Sequence, residues 1–330
     1  MHSWAHRDIA RLHRQRPRRG DQDHRRAIVL ANASDPGRFE PLVGGAPLSL
    51  VPVGHGRSPV EQALVALGGF VQEAATTVMV NEADRRLAIR QLARHEEVQL
   101  LTQPVDAGSA VATLVPLIDH LVADPAATVV IFPTHQVIAA SAALDRALAA
   151  AERAAQEHRT VVLLGAESDR LPSEGGWLLA HGAPKPPHRA SVYPLARWFP
   201  ETEAAVVPKL VEAGAVRATG IVVAHGLALL ELFEELTPRL LRLFLYGAGL
   251  PPAKSEAFAA RAYHDLGSLD LVGDLLSMGR GLHLSVLPRE VVVNDLRGEL
   301  RLAAWLASQG AVRGLASTRA RGYRRVAAPA

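Results

Sequence analysis

The stretch VQLLTQPVDAGSAVATLVPLIDHLVADPAATVVIFP, residues 98–133, decides the fold of this chain. Its two ends, 98–104 and 128–133, are short apolar runs that are typical of buried strands. The segment between them, 109–124, is long enough for a helix and is rich in Ala, Leu and Val. Because the connections are short, the stretch predicts a strand–helix–strand unit with parallel strands and a right-handed crossover.

The same alternation of strand and helix continues on both sides of this unit. Further strands are predicted at 27–31, 76–81 and 160–165, and further helices at 58–67, 83–96 and 139–157. This order is typical of an α/β protein, and we expect a doubly wound, mostly parallel sheet. After residue 165 the pattern is less regular, so we expect a second portion with mixed elements. Sheets of this kind bind ligands beyond the carboxyl ends of their strands.

The composition excludes several classes of protein. The chain has 330 residues, of which 48% are hydrophobic, so it can bury a large core. It contains no Cys, which excludes a disulfide scaffold and any metal site built on sulfur. No run approaches the roughly 18 apolar residues of a membrane span, and the N-terminal residues lack the apolar segment of a signal peptide. We therefore expect a cytoplasmic protein.

Positive charge is concentrated at the two ends of the chain. Residues 1–26 contain eight Arg and three Asp, and residues 311–330 contain five Arg and no acidic residue. Such ends could contact nucleic acid, anionic lipid or an acidic partner, or they could be solvated tails. They offer few aromatic side chains for stacking on bases, which argues against a nucleic-acid partner. We predict a basic N-terminal extension at 1–26, one α/β domain at 27–308 with halves at 27–165 and 166–308, and a basic C-terminal tail at 309–330.

The loop after the first predicted strand, residues 32–38, is a candidate functional segment. Ser34 and Gly37 can expose backbone N–H groups to a phosphate, and Arg38 can neutralise its charge. The loop fits neither the Walker A pattern nor GxGxxG, so a plain connection between strand and helix is the alternative interpretation.

Four further side chains are candidates for chemistry. His135 follows a predicted strand and could be a ligand, a base or a hydrogen-bonded loop residue. Asp295 could bind a hard cation through oxygen, or it could cap the helix that follows it. Asp270 and Asp274 lie four residues apart, and we interpret them as a solvated helical face.

Several segments in order resemble one known family. LLTQPVDAGSAVATLVPLIDHLVADPAATVVIFPTHQVI, at 100–138, is similar to the family pattern P-x-x-R-G-T-A-P-A-I … VFPSDHxI. TVVLLGAESDRLPSEGGWLL, at 160–179, resembles the P-x-T-x-Y-G-W-I segment. VRATGIVVAHG, at 216–226, resembles W-N-S-G-x-F, and VVVNDLRGE, at 291–299, stands where the family has W-S-D-W-G. On these segments, residues 27–308 resemble the sugar-phosphate nucleotidyltransferases, in particular the mannose-1-phosphate guanylyltransferases.

The resemblance implies a fold, a reaction and a set of site residues. The fold is the Rossmann-like nucleotidyltransferase fold, with a less regular sugar-side portion. In the reaction a sugar 1-phosphate attacks a nucleoside triphosphate, which gives a nucleotide sugar such as GDP-mannose and pyrophosphate, with Mg²⁺ as the cofactor. The implied roles are catalysis for Arg38, nucleotide binding for Asn32, Ser34, Gly37, Arg38 and Gly108, sugar-phosphate binding for Glu174 and Gly176, and metal binding for Asp295.

Several positions depart from the family pattern. The glycine-rich A-G-G-x-G-T-R-L-x-P-L becomes ANASDPGRFEPL at 31–42, which loses the paired glycines. Leu48 stands where the family has a phosphate-binding Lys, and His135 stands where it has a metal-holding Asp. The segment RWFPE, at 197–201, lacks the Lys of the family's E-K-P. We therefore expect a nucleotidyltransferase with weak or altered activity, or an inactive relative that binds a nucleotide, a nucleotide sugar or a protein partner.

Overall fold

The computed structural model describes residues 3–15, 23–32, 46–52, 56–167, 176–183, 191–200, 202–203 and 205–296, together with Leu302 and Trp305. Its helices are α1 (Trp4–Gln15), α2 (Pro59–Leu67), α3 (Arg85–Gln91), α4 (Gly108–Ala123), α5 (Ala142–His158), α6 (Val207–Glu212), α7 (Gly226–Leu236), α8 (Pro238–Ala248) and α9 (Pro252–His264). Its strands are β1 (Arg25–Leu30), β2 (Thr76–Asn81), β3 (Gln99–Gln103), β4 (Thr128–Pro133), β5 (Gln136–Ile138), β6 (Val161–Ala166), β7 (Trp177–Ala180), β8 (Val192–Phe199), β9 (Val216–His225), β10 (His283–Val286) and β11 (Val293–Asp295).

A mixed sheet forms the centre of the molecule. Among the described residues, nine strands join it in the order β3-β2-β1-β4-β9-β6-β10-β8-β7. Strands β3, β2, β1 and β4 are parallel to one another. Strand β9 is antiparallel to both of its neighbours, β4 and β6. Because β7 also pairs with β9, strands β9, β6, β10, β8 and β7 close into a small barrel.

The predicted α/β class is confirmed, but the sheet is mixed and not mostly parallel in its pairing. Beyond the first four strands, β6 and β10 pair in parallel, whereas the other described pairings are antiparallel. Helices do cover both faces: in β1, Ile28 packs into one hydrophobic core while Ala27 and Val29 pack into the other. A strand that is buried on both faces is apolar throughout, so its sequence does not reveal its direction. The apolar run of β9 is therefore compatible with parallel and antiparallel neighbours alike.

The N-terminal segment contains a helix that packs on the domain. Ala5, Ile9 and Leu12 of α1 are buried in the same core as α4, α7 and α8. Their spacing of four and three residues places them on one face of the helix. The ring Nδ1 of His13 lies 2.8 Å from the carbonyl oxygen of Val122. Residues 4–15 are thus not a solvated tail. The limits of the α/β domain, 27–308, stay a prediction.

Strand β9 serves both the main sheet and the barrel. Its C-terminal residues, such as Val222, pair with β4, whereas Val216 pairs with β7. Gly220, with φ at +75°, lies between these two parts. The register of β9 with β6 shifts near the same point, between Leu163 and Gly165. Ala218 and Gly220 of β9 line a cleft together with Pro133 of β4 and Gly176, which precedes β7. Among the described residues, no helix is both long and apolar enough to cross a membrane.

His225, the last residue of β9, predicts how the stability of the protein changes with pH. Burial lowers the pKa of His225, and the charges of Arg159 and His6 lower this pKa further. A lowered pKa means that the folded state favours the neutral imidazole. Its contribution to stability is therefore complete above the ordinary pKa of about 6.5 and is lost as the pH falls below that value.

We expect the free energy of unfolding of the wild type to fall more steeply than that of His225→Asn between about pH 7.5 and about pH 5.5. Urea unfolding at both pH values measures this difference. His264→Asn is the control, because the His264 side chain is 88% exposed. If the free energy of unfolding depends on pH equally in the wild type and in His225→Asn, the pKa of His225 is not lowered in the folded state.

Candidate functional site

A cleft of about 940 Å³ opens where the carboxyl ends of β1 and β4 meet the barrel. This volume is in the range of small-molecule binding sites, and the position is the usual one for ligands of α/β sheets. The lining residues are Leu30, Asn32, Asp106, Gly108, Ser109, Pro133, His135, Gln136, Gly176, Trp198, Pro200, Thr202, Ala218, Gly220, Ser268, Asp270, Leu271, Val272, Gly273 and Asp274.

The cleft brings together part of the predicted site. Asn32, Gly108 and Gly176 line it, although they are far apart in the sequence. The carbonyl oxygen of Asn32 accepts a hydrogen bond of 3.0 Å from the side-chain Nδ2 of Asn81, which fixes the backbone where β1 ends. The other predicted residues that bind nucleotide or sugar phosphate, Ser34, Gly37, Arg38 and Glu174, lie outside the described residues.

Asp295 is buried in an ion pair. Its Oδ2 accepts a hydrogen bond of 3.0 Å from Nη2 of Arg217. Each side chain of the pair is only 1% exposed. Strand β11 positions Asp295 by pairing antiparallel with β5, where it lies opposite Gln136. Arg217 is a partner that the sequence analysis did not identify, because the two residues are 78 positions apart.

The donor set near Asp295 does not fit the Mg²⁺ that the family resemblance implies. A hard divalent cation requires several oxygen ligands around one point. Among the described residues, no group of three or more His, Asp or Glu side chains could hold a metal ion. The carboxylate of Asp295 already faces the positive charge of Arg217. A cation at the same oxygen would be repelled by that guanidinium.

The N-terminus of α4 is covered by another part of the chain. Ala110 N donates to Leu269 O at 2.9 Å, and Leu269 N donates to Ala107 O at 3.1 Å. Gly108 has φ at +84°, and a Cβ there would lie 2.3 Å from Leu269 O. The close approach of Leu269 is therefore one reason why this position requires glycine. The nucleotide-binding role of Gly108 remains a prediction.

The side chain of Ser109 holds the neighbouring acidic segment in place. Its Oγ donates to Asp270 Oδ2 at 2.6 Å and accepts from Leu271 N at 2.7 Å. Asp274 Oδ2 accepts from Asp270 N at 2.8 Å. Asp270 and Asp274 are exposed, as expected for a solvated face, but they also line the cleft. With Asp106, they give this end of the cleft three carboxylates.

Apart from these three carboxylates, the described lining has no Asp, Glu, Lys or Arg side chain. Trp198 packs against Gly176, where a Cβ would lie 2.5 Å from its ring. Gln136 is 3% exposed. Among the described residues, Gln136 Oε1, Trp198 Nε1 and Thr202 Oγ1 are buried atoms without a hydrogen-bond partner. The described lining of the cleft as a whole includes no Lys or Arg.

The buried ion pair generates a prediction about stability. Asp295→Asn removes the carboxylate that pairs with the buried Arg217 guanidinium, so we expect a loss of about 3–5 kcal/mol in the free energy of unfolding. Urea unfolding measures it, with Asp265→Asn as the control because the Asp265 side chain is 92% exposed. We expect the same loss with and without Mg²⁺. A stability equal to that of the wild type in Mg²⁺-free buffer would contradict the structural role.

Comparison with solved structures identifies the fold. Mannose-1-phosphate geranyltransferase from Thermus thermophilus matches with a TM-score of 0.70 and 20% identity, over 83% of this chain and 76% of that chain. Mannose-6-phosphate isomerase from Helicobacter pylori matches with a TM-score of 0.61 and 15% identity, over 81% and 99%. UDP-glucose pyrophosphorylase from Acinetobacter baumanii matches with a TM-score of 0.52 and 10% identity, over 86% and 92%.

These matches show a mixed α/β fold shared with sugar-phosphate nucleotidyltransferases. Because the sequence identities are 20% or less, these matches are evidence for the fold alone. No family model matches the chain, and no curated protein is significantly similar to it in sequence.

Proposed function

We propose that this chain binds a nucleotide sugar in the cleft and catalyses nucleotidyl transfer only weakly. The observation that carries the weak-transfer part of the proposal is the charge of the described lining, which has Asp106, Asp270 and Asp274 and no Lys or Arg. Two further observations support the binding of a nucleotide sugar. The cleft lies at the carboxyl ends of β1 and β4, and the structural neighbours are named for mannose 1-phosphate, mannose 6-phosphate and UDP-glucose.

Nucleotidyl transfer requires positive groups beside the phosphates, and the described lining contains no Lys or Arg. In nucleotidyl transfer, a sugar-phosphate oxygen attacks the α-phosphorus of a nucleoside triphosphate in line, and pyrophosphate leaves. Catalysis consists mainly of positioning the reactants and neutralising charge on the phosphate oxygens. The loss of one preorganised contact to such charge costs about 10²–10³ in rate. A nucleotide sugar carries less charge than the triphosphate and sugar phosphate together, so it fits this cleft better.

In this proposal, one group of residues contacts the nucleotide and another lies beside the sugar. Arg38 neutralises the phosphates of the bound nucleotide, and the residues that contact the nucleotide are Asn32, Ser34, Gly37 and Gly108. Glu174 and Gly176 lie on the sugar side. We assign no metal to Asp295, because Arg217 already balances its charge.

Thermal unfolding with ligand panels tests the proposal. GDP-mannose, UDP-glucose and dTDP-glucose are compared with GTP, UTP and dTTP, since a ligand that binds the folded state raises Tm. We expect one nucleotide sugar to raise Tm more than its triphosphate. In parallel, pyrophosphate release is measured from each triphosphate with mannose 1-phosphate or glucose 1-phosphate.

We expect pyrophosphate release at least about 10²-fold slower than that of the Acinetobacter UDP-glucose pyrophosphorylase assayed beside it. A comparable rate would contradict the weak-transfer assignment. A well-folded sample that shows no Tm shift with any nucleotide would overturn the ligand-binding function and favour the alternative of a protein partner.

A further inference from the structure

We infer that the outer faces of helices α1, α8 and α9 form a basic surface that binds a membrane of anionic phospholipid. The inference is independent of the proposed function, because none of the residues that line the cleft belongs to these helices. It assigns part of the positive charge of the N-terminal segment to a folded surface instead of a tail. The binding is peripheral, with the basic surface lying on the lipid headgroups.

Helix α1 presents a row of arginines on the side opposite to its buried face. Arg7, Arg11 and Arg14 are exposed and follow one another by four and three residues, so they lie along one face of the helix. Arg11 forms an exposed ion pair of 3.3 Å with Asp8. Among the described residues, Arg7 and Arg14 form no ion pair. Their guanidinium groups are therefore accessible to an anionic partner.

Helix α8 connects α1 and α9 into one surface. The guanidinium carbon of Arg242 lies 5.0 Å from the centre of the Trp4 ring of α1. One turn later in α8, Tyr246 packs edge to face on Phe258 of α9, with the ring centres 5.3 Å apart. Helix α8 is therefore a neighbour of both other helices, and Arg242 and Tyr246 are exposed at these two contacts.

Positive charge is concentrated on these three helices. Together they contain seven Lys and Arg side chains and two acidic ones, whereas the whole chain has a formal net charge of +3. All seven basic residues are exposed, and they are Arg7, Arg11, Arg14, Arg239, Arg242, Lys254 and Arg261. An anionic partner is therefore the kind of partner that this surface fits.

Two features favour a membrane over a nucleic acid. The basic residues are spread over three neighbouring helices, and anionic lipid headgroups also present their charge over an area, whereas a nucleic acid presents phosphate along a line. Tyr246, which is 62% exposed, and the half-buried Trp4 are residue types that are enriched at membrane–water interfaces. The apolar face of α1 is buried in the protein core, so the attraction to the membrane is mainly electrostatic.

Co-sedimentation of the full chain with lipid vesicles tests the inference. Vesicles of phosphatidylcholine alone are compared with vesicles that also contain phosphatidylserine, at low salt and at about 0.15 M salt. We expect at least about ten-fold tighter binding to the phosphatidylserine vesicles, and weaker binding as the salt concentration rises. Equal binding to both kinds of vesicle, or no binding to either at low salt, would overturn the inference.

Paired substitutions test whether the basic surface is the part that binds. Arg7→Gln with Arg14→Gln removes two charges from α1, and Lys254→Gln with Arg261→Gln removes two charges from α9. We expect each pair to weaken binding to phosphatidylserine vesicles by about ten-fold or more, because each charge near the lipid surface contributes to the attraction. A pair that leaves the affinity unchanged shows that its helix does not face the membrane and overturns the three-helix surface.

Two control variants keep this test specific. Arg86→Gln with Arg90→Gln removes two exposed charges from α3, so it changes the net charge by the same amount and should bind as the wild type does. Arg7→Lys with Arg14→Lys keeps the charge of α1 and should also bind as the wild type does. An equal loss of affinity in the α3 variant would show that net charge alone governs binding, which overturns the inference. Circular dichroism and thermal unfolding establish that every variant is folded.

Nucleic acid is the competing anionic partner, and it is measured by fluorescence anisotropy with a DNA duplex and a single-stranded RNA. At about 0.15 M salt we expect neither to bind, while the phosphatidylserine vesicles still do. Binding of either nucleic acid at this salt concentration, weakened by the α1 and α9 pairs, would assign the basic surface to nucleic acid and overturn the membrane.

Discussion

The ion pair between Arg217 and Asp295 is the interaction on which the cleft depends. Arg217 lies in the part of β9 that pairs with β6 and β7, and Asp295 lies in β11. Both side chains are buried, so each charge is stabilised there by the other. The pair therefore ties the closed barrel to the β11–β5 sheet that carries Gln136. It also removes the one carboxylate that the family resemblance assigns to a metal.

The ion pair between Arg217 and Asp295 also determines which charges line the described part of the cleft. Because Asp295 is neutralised inside the wall, the charges that reach the described lining are those of Asp106, Asp270 and Asp274, all at the end of the cleft near Ser109. The other polar side chains of the described lining, such as Asn32 and Gln136, carry no charge. The fold is shared with sugar-phosphate nucleotidyltransferases, and the described lining of its cleft carries three carboxylates.

The sequence predicts the local elements of this fold better than their long-range arrangement. The strand–helix–strand unit at 98–133 is present as β3, α4 and β4, because apolar runs and short loops are local signals. The direction of β9 and the Arg217–Asp295 contact are not predictable in this way, since both depend on residues distant in the chain. Helix α1 has such a local signal too, because Ala5, Ile9 and Leu12 are spaced as on one face of an amphipathic helix.

The candidate site is predictable to a similar extent. Asn32, Gly108 and Gly176 follow from motif positions, and all three line the cleft. Gln136 and Trp198 lie in segments that resemble family motifs, but the spacing of those motifs does not show that both residues line the same cleft.

The measurement that tests this account most directly is the affinity of the preferred nucleotide sugar with Mg²⁺ and with EDTA. The account predicts equal dissociation constants, within about two-fold, because the Asp295 carboxylate is already paired with the Arg217 guanidinium. A gain of about ten-fold or more with Mg²⁺ that Asp295→Asn abolishes would contradict it.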